Sequence, residues 1–201
     1  MIDGKENMES FKIGFRKKSN KKENDDILTR NSTLITSEGE NLNIEEYLYL
    51  ELEKGEMIVK KDFLKKYNEH VNPEHTISEM DLWRIAERNT ENDYVLSNLG
   101  EILGFNSDNG LMVLSNKKRI LGASALLSFQ ARKEICEKLG TKRFLVLPSS
   151  IHEVLIVSQI DRGINEFNDM VKFVNENEVD PEERLEDKAF IVELYREHPV
   201  I

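Results

Sequence analysis

A nucleophile, a base and a carboxylate crowd together at one place in this chain: Ser149, Ser150, His152 and Glu153, within FLVLPSSIHEVLIV at 144 to 157. Hydrolytic or transfer chemistry uses these types, with a serine oxygen attacking, an imidazole taking its proton and a carboxylate orienting the ring. Their spacing argues against that use. In an extended segment Ser150 and His152 share a face with Cα atoms about 6.5 to 7 Å apart, while Glu153 points the other way. A base must come within about 2.6 to 3.2 Å of the nucleophile, and no Gly-x-Ser-x-Gly elbow supports either serine. A hydrolase or transferase using Ser150, His152 and Glu153 is therefore the alternative reading. The simpler one is a turn at Pro148, Ser149 and Ser150 whose hydroxyls bond backbone groups, with His152 and Glu153 setting up the next strand.

Other candidate groups point away from catalysis. His70 and His75 lie five apart across Asn72 and Pro73, with Glu69 and Glu74 before them. That places them on a turn, without the His-Glu-x-x-His spacing of a zinc site. The lone cysteine, Cys136, sits beside Ile135 on an amphipathic stretch and reads as a small buried hydrophobe. Gly100 and Gly104 lack the Gly-rich loop and Lys-Ser or Lys-Thr ending of a phosphate cradle. No metal and no cofactor is expected.

Composition narrows the classes. The chain has 201 residues, 39% hydrophobic and 33% charged, with a formal charge of −10. It can bury a core. No apolar run approaches the roughly 18 to 20 residues of a spanning helix, and the amino terminus has no apolar signal core, so the expected address is the cytoplasm. Net acidity disfavours direct binding to nucleic acid, which rests on Lys and Arg neutralising phosphates. The charge is uneven. Arg16, Lys17, Lys18, Lys21 and Lys22 form a basic run, whereas residues 175 to 198 carry nine acids against three bases.

Stepping along the chain, Phe11, Ile13 and Phe15 alternate with polar residues as in a half-buried strand, and Thr33 to Thr36 makes a second strand; together they predict a hairpin over 10–37. Asn43 is read as the cap of a helix holding Ile44, Tyr47, Leu48 and Leu52, ended by Gly55. A helix is expected over 58–69, and another from Ser78 through Leu82, Ile85 and Ala86. Leu111 to Leu114 is a strand, followed by a turn and a further strand over 119–127. Ala131, Ile135 and Leu139 mark a helix stopped by Gly140. Strands at 144–147 and 154–157 precede a helix carrying Ile164, Phe167, Val171 and Val174, and a last strand begins at Phe190. Asp180, Pro181 and Glu183 have the spacing of a capped helical turn.

These elements predict an α+β fold: an antiparallel or mixed sheet with helices packed on it, and a strand-strand-helix order repeated in the carboxyl-terminal half. The division expected is an amino-terminal elaboration over 1–77 and a core over 78–201 forming one unit.

The segments VLSNKKRILGASALL, FLVLPSSIHEVLIV and MVKFVNENEVDPEERLEDKAF resemble a bacterial domain family of unknown function. Its members carry a Leu-Pro-Ser-Ser-x-His-Glu-Val core and a Pro-Glu-Glu-x-Leu-x-Asp signature. The matching residues include Asn116, Gly122, Ala123, Pro148, Ser149, Ser150, His152, Glu153, Asn175, Pro181, Glu182, Glu183, Leu185 and Asp187. The resemblance spans about 78 to 195 and implies a fold, with no assigned activity. It also implies genomes rich in mobile elements.

The reading that follows is a non-enzymatic binding module acting through protein–protein contact, an accessory or inhibitory factor of a phage or mobile element being one form of it. Its candidate binding residues are Asn116, Ser149, Ser150, His152, Glu153, Asp180, Glu182 and Glu183. The expected partner is a basic or nucleic-acid-binding protein, met by charge complementarity.

Overall fold

The computed structural model describes residues 10–20, 25–37, 42–70, 74, 76–102, 104, 110–148, 150–158 and 163–194. It is an α+β fold with two antiparallel sheets. In the first sheet, strand β1 (Phe11–Lys17) pairs with β3 (Ile44–Glu51), which pairs on its other side with β2 (Thr29–Asn31) and β4 (Glu56–Ile58).

β3 corrects the helix read over 44–52. Its helix-like spacing arises because both faces are covered, so apolar residues do not alternate with polar ones. Ile44, Glu46, Leu48 and Leu50 lie on one face and Glu45, Tyr47, Tyr49 and Glu51 on the other. Seven of its eight residues are buried, including both adjacent glutamates. Register pairs each with a cation: Arg16 of β1 stands opposite Glu45 and Arg30 of β2 opposite Glu46. Arg16 Nε donates to Glu45 Oε1 at 2.7 Å, and Arg30 Nε to Glu46 Oε2 at 2.7 Å. Glu46 Oε1 also accepts from the backbone N and the hydroxyl of Thr33. The guanidinium of Arg30 lies 4.1 Å from the Trp83 ring centroid, an arrangement that adds cation–π attraction.

The hairpin expected over 10–37 is replaced by two strands that flank β3. The segment after β2 crosses to the second sheet, where Thr36 bridges Val192 and Ser37 N donates to Ile191 O. Gly55, at φ +84°, turns β3 into β4 rather than ending a helix. Helix α1 (Phe63–His70) is five residues shorter at its start than the 58–69 pattern predicts. Ile58 belongs to β4, and Val59 is buried in the core beneath it. Helix α2 (Glu79–Glu91) begins as expected, and Ser78 and Asp81 close a full capping box. α2 also covers the free edge of β1: Thr90 Oγ1 accepts from Ile13 N at 3.2 Å and Asn89 Nδ2 donates to Phe11 O at 2.9 Å. An open edge is thereby satisfied by side chains.

The second sheet runs β5 (Val95–Asn98), β6 (Leu111–Ser115), β8 (Val154–Val157), β7 (Arg143–Leu147), β9 (Phe190–Glu193) in spatial order, antiparallel throughout. A short helix α3 (Leu99–Ile102) follows β5. The strand expected over 119–127 is instead a 3-10 helix, Gly122–Leu127, because Arg119 and Leu121 take left-handed φ of 57° and 55° and turn the chain off the sheet. The strand-strand-helix repeat therefore survives only in its second half. Helix α4 (Phe129–Leu139) has Ser128 as its cap and left-handed Gly140 as its stop.

Phe144 and Val146 face a large cluster shared with α4, Leu126, Phe15 and Ile44, so one core joins both sheets. Leu145 and Leu147 face the opposite way, against Phe167 and Val171 of helix α5 (Ile164–Glu178).

Removing one member of a buried, hydrogen-bonded charge pair strands the other. Glu46→Ala is expected to cost about 3 to 5 kcal/mol in urea unfolding. Asp26→Asn, which breaks the exposed Lys60–Asp26 pair, is expected to cost under about 1 kcal/mol.

Candidate functional site

Asn116, Ser150, His152 and Glu183, from three of the sequence motifs, come together around one loop. Strand β6 ends at Ser115, and the loop that follows is held from two sides. On one side the buried amide of Asn116 grips Ile120: Nδ2 donates to Ile120 O at 2.7 Å and Oδ1 accepts from Ile120 N at 3.1 Å. Nδ2 also lies 3.4 Å from Tyr49 OH, which ties the loop to the first sheet. On the other side stands His152. Its Nδ1 accepts from Leu121 N at 3.1 Å, and its carbonyl accepts from Gly122 N at 3.1 Å and Ser115 Oγ at 2.7 Å.

Gly122 is required by this closeness. A Cβ there would sit 2.3 Å from Ser115 Oγ, 2.4 Å from Asn116 N and 2.8 Å from His152 O. Two of these are backbone atoms, which cannot move aside cheaply. Ala123 N adds a bond to Ile151 O, so the loop and the Ser150 to His152 segment are sewn along their length.

The serine chemistry foreseen for Ser150, His152 and Glu153 meets a different geometry. Ser150 Oγ accepts from His152 N at 3.0 Å, closing a local turn with its own neighbour's backbone. The imidazole nitrogen Nδ1 is occupied by the Leu121 amide. Nε2 faces Glu183 Oε1 at 3.4 Å, with His152 32% and Glu183 45% exposed. Because Nδ1 accepts a hydrogen bond, the neutral ring carries its proton on Nε2, directed at Glu183. Glu153 is half-buried. Ser149 lies outside the described residues, as does His75. Among the described residues no three His, Cys, Asp or Glu side chains gather as a metal-binding group. His70, exposed, directs Nδ1 to Lys66 O at 2.6 Å.

The acidic signature supplies the third wall. Its expected helical turn is a single reverse turn, closed by Glu183 N donating to Asp180 O at 2.9 Å. Ile151 N then donates to Glu183 O, Ser150 bridges Arg184, and Glu186 N donates to Pro148 O. Asn175, buried on α5, sends Nδ2 to Glu186 O and Asp187 Oδ1. Asp180 and Glu182 are exposed.

This signature also meets the basic run. Lys17 pairs with Asp187, Asn20 Nδ2 bonds the carbonyls of Pro181 and Glu182, and Asn43 N donates to Glu186 Oε2 at 3.0 Å. Arg16 is spent on Asp25 and Glu45. The two charge clusters that lie far apart in sequence are therefore in contact. Partial burial pushes the Asp187 carboxyl up, but hydrogen bonds from Lys17 and Asn175 outweigh it and hold the group below the usual aspartate range.

Sequence reasoning passed over Leu121, Ile151 and Ser115, which act here through backbone or hydroxyl groups. The left-handed loop had no glycine or asparagine at Arg119 or Leu121 to signal it. Two clefts, of about 370 Å³ and 500 Å³, lie elsewhere. The first is lined by Lys133, Cys136 and Lys142, and the second by Ser97, Asn98, Glu101, Lys138 and Ser158. Cys136 is buried, and burial pushes its thiol up, away from reactivity.

Over residues 20–193 the chain matches a family described as Family of unknown function (DUF5688). The match begins well ahead of residue 78 and takes in β2, β3 and β4 of the first sheet. No curated protein and no solved structure matches.

Four outcomes test this geometry. Gly122→Ala should cost about 3 kcal/mol in denaturant unfolding. His152→Asn, which keeps an acceptor near the Nδ1 position, should protect the Leu121 amide from exchange better than His152→Ala, and ¹⁵N NMR of the wild-type ring should show the Nε2–H tautomer. Because the folded-state pKa of Asp187 is lowered, its contribution is present above the ordinary value near about 3.9 and is lost as pH falls through the folded value. Lys17→Gln should raise the Asp187 titration midpoint by NMR.

Proposed function

We propose that this chain, which belongs to the DUF5688 family, works as a binding module that contacts another protein and catalyses no reaction. One observation carries the reading: the side chains best suited to chemistry are already committed to the protein's own backbone. Ser150 Oγ holds His152 N, and His152 Nδ1 holds Leu121 N. Activating a serine nucleophile requires its hydroxyl and a free imidazole nitrogen to meet. Here the two groups serve as hydrogen-bond acceptors for amides on separate segments.

The same commitment supports a scaffold role for Asn116, Ser150, His152 and Glu183, with recognition left to outward groups such as Asp180 and Glu182. A net charge of −10 favours a basic partner, including a protein that itself binds nucleic acid. A narrower form of the reading is an accessory or inhibitory factor of a phage or mobile element that acts on such a protein in the cytoplasm. The fold suits either form, since Asn116 and His152 brace the loop between the two sheets and so preorganise the surface around it.

Affinity capture with the immobilised chain tests the reading. A defined protein should be retained from host lysate at low salt and weakened as salt rises. Retention of nothing above background at either salt, together with turnover in a broad ester and phosphoester screen that Ser150→Ala abolishes, would reverse it.

A further inference from the structure

The apolar surface of helix α5 is wider than the part it buries. Phe167 and Val171, with Asn175, are buried against the second sheet. Met170, three residues from Phe167, borders that buried stripe, Phe173 lies one step further round, and the two are 51% and 64% exposed. A surface helix ordinarily carries one apolar stripe, facing its core. Position 173 is three residues beyond 170, so the two side chains are neighbours on the helix surface. Glu166, Asp169, Glu176 and Asn177 fall at three- and four-residue steps from them and complete that face, all exposed. No basic side chain pairs with Glu166, Asp169 or Glu176 among the described residues. Lys172 projects about 100° away from Phe173, but it stands three residues from Asp169 and four from Glu176 and so borders the acidic rim on one side.

The acidity of the carboxyl-terminal region is thus divided by the fold. Asp187 and Glu186 are engaged at the surface by Lys17 and the Asn43 backbone, whereas the α5 carboxylates surround an aromatic and a thioether side chain open to solvent. An apolar centre with a charged rim is the anatomy of a recognition surface. Its charge selects the occupant.

We infer that the Met170–Phe173 face of α5 is the docking surface of this module, and that it takes a basic segment of another protein that brings an apolar side chain between its cations. The inference rests on the binding-module reading and names the surface through which it acts. Phe173 supplies contact area with little side-chain entropy to lose, and Met170 adapts to the shape of the guest. Glu166, Asp169 and Glu176 attract Lys and Arg from solution and set the orientation.

The test uses the full chain and a fluorescent lysine–leucine amphipathic peptide of about 14 residues as probe, read by anisotropy at low and moderate salt. The wild type should bind, more weakly as salt rises. Met170→Ser with Phe173→Ser should weaken binding about tenfold or more, and Glu166→Gln with Asp169→Asn and Glu176→Gln should lessen its salt dependence. Ile102→Ser with Glu137→Gln, on other surfaces, should leave binding unchanged. All substituted side chains are exposed, and circular dichroism checks that each variant folds. Equal binding by the α5 variants, or no binding by the wild type, overturns the inference. So does a concentration-dependent dimer abolished by Met170→Ser with Phe173→Ser, which assigns the face to a second copy. Lysate capture separates the two levels: a protein retained equally by wild type and the α5 variant sinks this surface and spares the module, whereas a basic protein retained by wild type alone and displaced by the lysine–leucine peptide supports both.

Discussion

Two adjacent carboxylates on a central strand are the constraint from which the first sheet follows. Glu45 and Glu46 project to opposite faces of β3, and both are buried, Glu46 completely. A buried, unpaired carboxylate is far too costly to keep, so each needs a cation from a neighbouring strand, placed opposite it. Register supplies Arg16 on one side and Arg30 on the other. A slip of one residue along either strand would turn these cations to the wrong faces. Arg30 then fixes Trp83 of α2, and Thr33 is drawn to Glu46, which sends the following segment toward β9. Pairing, helix placement and the joint between sheets thus depend on where two negative charges are neutralised.

The second sheet solves a different problem, the turn from β6 into α4. The chain leaves the sheet through two left-handed residues that bear side chains, and such conformations persist only when their surroundings hold them. Asn116 and His152 do so from either side, with Gly122 seated where no Cβ fits. The residues that look most reactive in the sequence are used as braces. That use explains why serine, histidine, asparagine and glutamate cluster without forming a relay.

Legibility in the sequence varied with local cause. β1, β6, α2, α4, α5 and the strands β7 and β8 follow from periods and caps contained in a few consecutive residues, such as Ser78 with Asp81 or Gly140 after Leu139. β3 was misread because burial of both faces erases the alternation that marks a strand. The stretch 119–127 was misread because Ile120, Ala123 and Leu126 suit a strand equally well, and only contact with Ser115 and His152 shows that the chain cannot extend there. The motif residues around His152 are recognisable as a group, but the role of His152 itself depends on partners thirty or more residues away.

Composition and local pattern by themselves determined an acidic chain with enough apolar residues for a core, an α+β class, most of the helices, and a concentration of polar side chains around Ser150 and His152. The tertiary structure alone decided which charges stay outside. Lys17 and Asp187, one at each end of the described chain, come together, and Arg16 and Arg30 pair with buried glutamates. The uneven charge of the sequence is therefore partly consumed within the fold, and what remains outward on α5 stands around Met170 and Phe173. The physical reason is that a charge's effect depends on distance and dielectric, both of which are set by packing between segments remote in sequence.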